Sequence, residues 1–449
     1  MKEKFLNALQ DKDFSELFKK GGISFLMRVA GQIMGFIITF IIARYFGASG
    51  LGDYVLSIIV LRIFVLFAKL GMDTASIRFI AQFAIKNQWI NIRNYRRKVV
   101  SLLIFTSLLA SICMYWYADL ISVIVGAKEE YIRLNSFFVF PMAFFILNYQ
   151  SLRGLKRINE FSFFYWLSRV AFSAIIILIS VQFSQNKNIP IFAFLSSLVL
   201  VSILAYLIFL FRLKQKSSYN NSSYISIDSL LSYKSILIVS LPLLFAQTGQ
   251  FIMAWTDKLM LGGFMSSVEV GVYDIAFKLS MIANIALTAI TSVTAPKFAE
   301  LFALRDFKRL EKVVNQSTKI VFWSSLPVLI LLLLFSNMIL GFFGEEFQLG
   351  KQAFYLLSLS TMISAFSGPA GNILQMTGRQ VIFMNVLFVG AIINIILNYL
   401  LIPIYGIEGA AFASMASVIF WNLTMVYFVK KEFGFLTIYN PIKITRDVK

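Results

Sequence analysis

The ionisable residues set within long apolar stretches are Arg28, Arg62, Lys69, Asp73, Arg78, Arg169, Asp257, Lys258, Asp274 and Lys278. An ionised side chain at the middle of a bilayer costs about 2.5–3.5 kcal/mol on insertion scales. Each of these groups must therefore face a polar cavity, a partner or the interface. Lys69 and Asp73 are spaced to neutralise one another on a helix, and so are Asp274 and Lys278. Arg62 shares a helix face with Lys69, is deep in its stretch, and has no acidic residue close in sequence, so self-pairing does not explain it. Arg28 lies about two turns into its run, from where a long side chain can snorkel to the surface. Arg78 and Lys297 lie near the ends of their runs and suit interfacial anchors. A guanidinium is always charged and presents a fork of donors that matches phosphate oxygens. Asp257 and Asp274 are suited to a proton or Na⁺.

Other chemistries are excluded by what the chain lacks. It has no histidine and one cysteine, Cys113. Histidine general acid–base work, Ser-His and Cys-His nucleophiles and His or Cys metal sites are thereby removed. There is no Gly-x-x-x-x-Gly-Lys-Ser/Thr loop, so direct ATP use by this chain is not expected. No cofactor is implied. The first twenty residues carry both charge signs and show no cleavable leader pattern.

The elements that must position these residues are membrane helices. Of 449 residues 59% are hydrophobic and 14% charged, with mean hydropathy +0.78; a soluble chain is nearer 45–50% apolar and about a quarter charged. A crossing helix needs about 20 apolar residues. About twelve such runs are expected, at 22–44, 52–85, 99–117, 131–150, 161–183, 189–211, 235–263, 271–295, 318–340, 353–376, 381–401 and 409–429. They group into an N-terminal segment (1–21), a six-helix lobe (22–211), a polar linker (212–234) centred on Ser217–Ser223, a second six-helix lobe (235–430) and a tail (431–449). Six spans return the chain to its starting side, so a duplicated unit is a parallel repeat.

The net charge of +19 sits in alternate loops. Arg93, Arg96, Arg97, Arg153, Lys156, Arg157, Arg212, Lys308, Arg309, Arg379, Lys430 and Lys431 fall on one side. Asp53, Asp119, Glu129, Glu130, Glu269, Glu345, Glu346 and Glu408 fall on the other. The positive-inside rule then places both termini in the cytoplasm. It also accounts for the basic excess without nucleic acid, which is not an expected partner.

The first two spans recur. At a constant offset of 219 residues Gly52 meets Gly271, Tyr54 meets Tyr273, Arg78 meets Lys297, Phe79 meets Phe298 and Phe83 meets Phe302, with no gap. Internal duplication of this kind is a common way to build transporters. The first copy is read as a run to Arg44, a turn at Tyr45–Leu51 and a second run.

Four short elements carry a resemblance. They are Pro403-Ile404-Tyr405-Gly406-Ile407-Glu408-Gly409-Ala410-Ala411, Asp257-Lys258 followed by Gly271-Val272-Tyr273, Leu70-Gly71-Met72-Asp73 leading to Arg78, and Gly154-Leu155-Lys156-Arg157. In this order and spacing the chain resembles, over nearly its whole length, the Wzx-type polysaccharide flippases of the multidrug/oligosaccharidyl-lipid/polysaccharide exporter superfamily. The resemblance implies an all-α membrane protein of two six-helix lobes in a V around a central cavity. It implies movement of undecaprenyl-diphosphate-linked oligosaccharide, of the O-antigen or capsule kind, across the cell membrane. The lipid II flippases of the superfamily carry extra C-terminal spans, which the twelve spans read here do not include.

With that cargo the residues take expected roles. Arg28 and Arg62 hold the diphosphate, while Asp257, Lys258, Asp274 and Lys278 line the other lobe. Gln32, Thr39, Gln247, Gln250, Asn284, Asn394 and Asn398 offer hydrogen bonds to the glycan and Trp255 a stacking face, although a helix–helix hydrogen bond is the plainer role for each polar residue. The partners expected are the lipid-linked oligosaccharide, membrane lipids, H⁺ or Na⁺ as coupling ion, and polysaccharide assembly proteins. Two alternatives are an exporter of cationic drugs, which needs an acidic cavity, and an integral membrane glycan-modifying enzyme, which usually needs a catalytic histidine or a large outer loop.

Overall fold

The computed structural model of the chain describes residues 12–184, 186–217 and 232–439. Among these residues the chain is helical, with no strand. The expected N-terminal segment, linker and tail fall partly outside them, at 1–11, 218–231 and 440–449. Among the described residues eight helices are long and apolar enough to cross a membrane, and two bent pairs, Glu129–Ser136 with Val139–Gly154 and Glu345–Ser367 with Ala370–Met376, pass the same test together. At 1.5 Å rise per residue, the two longest helices far exceed the ~30 Å hydrocarbon layer. Each is broken once, at Gly47 (φ 70°) and at Gly406 (φ 54°).

Two compact units are formed, one from Met1–Phe46 with Asp53–Phe251, the other from Gly47–Gly52 with Ile252–Lys449. The first unit contains α1 (Lys12–Ala68), apart from its break, then α2 (Met72–Ile85), α3 (Trp89–Trp116), α4 (Ala118–Val125), α5 (Glu129–Ser136) and α6 (Val139–Gly154). It continues with α7 (Ile158–Ser162), a π-helical stretch at Phe163–Ser168, α8 (Arg169–Phe183) and α9 (Ile189–Ser217). The turn expected at Tyr45–Leu51 is helical on both sides of Gly47, whose left-handed backbone supplies the whole change of direction. Leu70 (φ 45°) and Gly71 (φ 75°) make the next break, between α1 and α2.

Helix α6 packs on α2, α3 and α9. It buries Val139, Met142, Phe145, Leu147 and Leu152, and also Asn148 and Ser151. Those two polar groups answer a buried arginine on α3. Arg96 donates to Ser151 Oγ at 3.0 Å and to Asn148 Oδ1 at 2.7 Å, and its guanidinium lies 4.3 Å from the Phe209 ring centroid. A cation read from sequence as a loop charge is therefore a packing element, kept charged by two acceptors and an aromatic face.

The second unit contains the end of α10 (Tyr233–Phe264), α11 (Ser267–Ser280), α12 (Asn284–Ala303), α13 (Phe307–Leu334), α14 (Ser336–Phe343), α15 (Lys351–Ser367), α16 (Ala370–Met376) and α17 (Gln380–Phe433). Phe298, Leu310, Val314, Ile373, Leu374, Met425 and Val429 form its apolar core. The segment after α17 joins that core through Phe435, and Thr437 Oγ1 donates to the carbonyl of Ser367 at 2.7 Å.

Within this unit two glycines bring backbone against backbone. A β-carbon on Gly52 would strike the carbonyl of Ser267, and one on Gly271 would strike the carbonyl of Ala48. Both contacts are related by the 219-residue offset that relates the two stretches in sequence. Beside them, Glu346 Oε1 accepts the Ala48 N–H at 2.5 Å, just after the Gly47 break.

Candidate functional site

In the first unit the deep cations meet at a cavity of about 420 Å³. Arg62 reaches it from α1, Lys69 from the turn that follows the last residue of α1, and Arg169 from the start of α8. Gln32, Tyr149, Tyr165, Trp166 and Phe251 complete the walls. Arg28 is not on the cavity wall but faces a residue that is, its guanidinium 4.8 Å from the Trp166 ring centroid. Gly31 lets α1 approach this wall, because a β-carbon there would strike the Trp166 carbonyl.

The π-helical stretch Phe163–Ser168 gives this wall its shape. Such widened turns are rare and recur at functional sites. Here it precedes Arg169 and sets Phe164, Tyr165 and Trp166 along the cavity. Tyr165 lies edge-on to both Trp166 (4.5 Å) and Tyr149 (5.5 Å). The result is a positively charged space with an aromatic side, suited to an anion that carries an apolar or sugar face.

Lys69 is restrained. Its Nζ lies 2.8 Å from Asp73 Oδ2 and 2.5 Å from Gln247 Oε1. Gln247 donates onward to Thr74 Oγ1 at 2.8 Å. The i,i+4 pair expected from sequence is thus present, and Gln247 belongs to its hydrogen-bond shell. Arg169 rests against the Phe194 ring at 5.1 Å. Of the other polar candidates in this unit, Thr39 donates to the Gly35 carbonyl at 2.9 Å.

In the second unit the four expected residues fall into two groups. Lys258 on α10 and Lys278 on α11 both contact Asp274, at 2.5 and 2.6 Å. Asp274 is 1% exposed, Lys258 5% and Lys278 34%. The triad carries one net positive charge, and Lys258 also faces the rings of Trp255 (5.1 Å) and Phe277 (4.9 Å). Trp255 therefore serves here as a cation-facing ring.

Asp257 belongs to a separate network. Its carboxylate accepts from Asn398 Nδ2 at 2.7 Å, from Tyr273 OH at 2.8 Å and from Ser414 Oγ. Asn398 also donates to Asn394 Oδ1 at 3.0 Å. Asn398 and Ser414 lie on opposite sides of the Gly406 break in α17, so the break brings two parts of one long helix to the same carboxylate. Asp257 is 8% exposed, and the buried Asn398 Oδ1 has no hydrogen-bond donor. A buried carboxylate next to an orphaned amide oxygen is a setting for a proton or a hard monovalent cation, which takes oxygen ligands. Among the described residues no cluster of three or more His, Cys, Asp or Glu is suited to a metal.

Arg169 is named from the sequence as a deep cation but without a role in the site, and Tyr273 and Ser414 are not expected there as partners of Asp257. Tyr273 stood out as a repeat position rather than as a partner of Asp257. Ser414 carried no signal, since one serine in an apolar helix usually bonds its own backbone.

A family model described as "Polysaccharide biosynthesis protein" matches residues 17–302, and the MatE model matches residues 242–400. Among curated proteins the chain is 25% identical over 205 residues to the "Probable low-salt glycan biosynthesis flippase Agl15" of Haloferax volcanii, covering 45% of this chain and 42% of that one. It is 27% identical to the "Probable flippase AglR" of the same organism, covering 38% and 37%. It is 25% identical to a "Putative O-antigen transporter" of Shigella flexneri, covering 37% and 40%. The chain thus spans under half the length of these relatives. Among solved structures it is similar to a lipid II flippase MurJ in an inward closed conformation (TM-score 0.70, 17% identity, 91% of this chain and 89% of that one). It is also similar to an inward-facing multidrug resistance MATE transporter of the MOP superfamily (TM-score 0.71, 14% identity, 91% and 98%). These likenesses establish the fold.

Proposed function

The chain belongs to the polysaccharide biosynthesis protein family, and we propose that it is a flippase for undecaprenyl-diphosphate-linked oligosaccharide, moving the diphosphate head and its glycan from the cytoplasmic to the outer leaflet by alternating access. The observation that carries this reading is the gathering of Arg62, Lys69 and Arg169 at one aromatic-walled cavity, with Arg28 behind Trp166. A diphosphate left unpaired in hydrocarbon would cost tens of kcal/mol by ideal Born arguments. Guanidinium groups lower that cost by charge-assisted hydrogen bonds. The lipid tail can stay in the bilayer while the head crosses. The Lys258–Asp274–Lys278 triad adds net positive charge in the second unit.

In this reading Arg62 and Arg169 bind the diphosphate, Arg28 backs the cavity wall through Trp166, Lys69 is held ready by Asp73 and Gln247, and Tyr165 and Trp166 face the first sugar. Asp257, with Asn398, Tyr273 and Ser414, takes H⁺ or Na⁺ on the return step. The membrane potential helps as well: at 100 mV, inside negative, it favours outward movement of each negative charge by about 2.3 kcal/mol. Both termini lie in the cytoplasm, and no chemical step is performed on the cargo. The names of the curated relatives, which include flippases and an O-antigen transporter, support this reading.

The match to the MatE model raises drug–cation export as the competing function. A cavity walled by Arg62, Lys69 and Arg169 repels cations, which disfavours it. The test is transbilayer movement of labelled lipid-linked oligosaccharide in proteoliposomes. Wild-type protein should move it, and Arg62→Ala, present at wild-type level and folded, should not. Unchanged flipping by that variant would remove the proposed role of the cavity.

A further inference from the structure

A second cavity of the first unit, about 530 Å³, lies where α2 ends, α3 begins, α6 ends and α9 reaches Arg212. It shares no residue with the cavity of Arg62. Its walls carry Lys156, Arg157, Arg212 and Trp89. Arg212 is neutralised, donating to Glu160 Oε1 from Nε at 2.9 Å and approaching it with Nη2 at 2.7 Å. Among the described residues no carboxylate lies within ion-pair distance of Lys156 or Arg157.

Trp89 is 9% exposed, and its indole N–H has no acceptor. A buried donor left unanswered is unfavourable, and in native proteins it usually marks a missing ligand or water. Trp89 is also the first residue of the 28-residue helix α3, and the preceding Gln88 makes no side-chain capping hydrogen bond. The first-turn N–H groups of α3 therefore add a partial positive charge at the same place. Lys156 (φ 58°) and Asn87 (φ 55°) are the left-handed closing residues of α6 and α2, where the Arg157 N–H returns to the Leu152 carbonyl and the Gln88 N–H to the Phe83 carbonyl, so both loops that line the cavity have a fixed course. Two uncompensated cations, a buried orphan donor and an uncapped helix start converge on one space.

We propose that this cavity is a phosphate site for the headgroup of an anionic membrane lipid, separate from the cargo cavity. The position suits such a ligand, because the site lies at the end of a set of membrane-crossing helices, among the basic loops. Lys156 and Arg157 supply charge, Trp89 donates to a headgroup oxygen, and the start of α3 faces the phosphate.

The test is thermal unfolding of the purified full chain in detergent, with added phosphatidylglycerol, phosphatidylcholine or inorganic phosphate at matched ionic strength. Phosphatidylglycerol should raise the midpoint saturably. Its apparent affinity should fall about tenfold or more in Lys156→Ala/Arg157→Ala, as expected for loss of charge-assisted contacts. Trp89→Phe keeps the ring, removes the donor and should fall severalfold, which covers the case that the double variant does not fold. Lys351→Ala, in the other unit, should respond as wild type. A shift produced by inorganic phosphate alone, and lost in the same variants, would keep the phosphate site and assign it a soluble source. An equal shift with phosphatidylcholine, or full response in both sets of variants, would overturn the proposal.

Discussion

Asp274 offers a test of how far the polar groups of the second unit are structural. Its carboxylate is 1% exposed and holds Lys258 Nζ at 2.5 Å and Lys278 Nζ at 2.6 Å. Lys278, 34% exposed, can swing out of the packed interior on its long stem when the acid is removed. Lys258, 5% exposed and hemmed by Trp255 and Phe277, cannot. Asp274→Ala therefore leaves one buried cation uncompensated, a change that costs about 3–5 kcal/mol. Replacing both buried charges, as in Lys258→Met/Asp274→Leu, removes the uncompensated cation and should recover most of that loss, leaving about 1–2 kcal/mol for imperfect repacking. The assay is equilibrium unfolding by SDS from dodecyl maltoside micelles, run as a double-mutant cycle. A single variant costing under about 1 kcal/mol would refute a tight buried pair. So would a double variant as unstable as the single.

Other consequences can be measured in the same preparations. Gly52→Ala and Gly271→Ala each place a methyl group against a carbonyl and should destabilise by about 1–3 kcal/mol, whereas Gly35→Ala, with open space at that position, should be neutral or slightly stabilising. Asp257→Asn should leave cargo binding intact and abolish the dependence of transport on the H⁺ or Na⁺ gradient; a gradient dependence unchanged from wild type would contradict its role. Between α4 and α5, the hydrogen bond to Asp53 holds the Lys128 amine above the usual lysine range. Its contribution, at most about 1 kcal/mol because the lysine is half-exposed although Asp53 is buried, is therefore complete below the ordinary lysine pKa of about 10.4 and is lost as pH rises through the higher folded value. The stability difference between wild type and Lys128→Gln should be flat from neutral pH to about pH 10 and shrink above it, and a difference that grows with alkalinity would be wrong in sign.

The deep cations were legible because a charge in an apolar run needs a reason, and the energy scale says so without a fold. Pairs within one helix were legible too, since Lys69–Asp73 and Asp274–Lys278 follow from helical spacing alone. Contacts between helices were not. Lys258 meeting Asp274, and Asn398 and Ser414 meeting Asp257, depend on how α10, α11 and α17 pack and on the Gly406 break. The sequence places a seven-residue turn at Tyr45–Leu51 where the structure has a single break at Gly47. One positive-φ glycine suffices for the change of direction, the residues on both sides keep helical backbone angles, and the Ala48 N–H turns to Glu346 Oε1 instead of the helix. Arg96 illustrates the opposite error: a charge in a basic cluster looks solvated, and only the packing of α6 on α3 reveals the acceptors on Asn148 and Ser151.

The most direct measurement is the affinity of the purified protein for a short-chain polyprenyl-diphosphate sugar and for its monophosphate counterpart, in wild type and in Arg62→Ala and Arg169→Ala. A charge-assisted hydrogen bond contributes about 1.5–3 kcal/mol, so each variant should lose about 10- to 100-fold for the diphosphate, and the preference over monophosphate should shrink with it. Equal affinity for both ligands in wild type, or diphosphate binding unaltered in both variants, would contradict an anion site at this cavity.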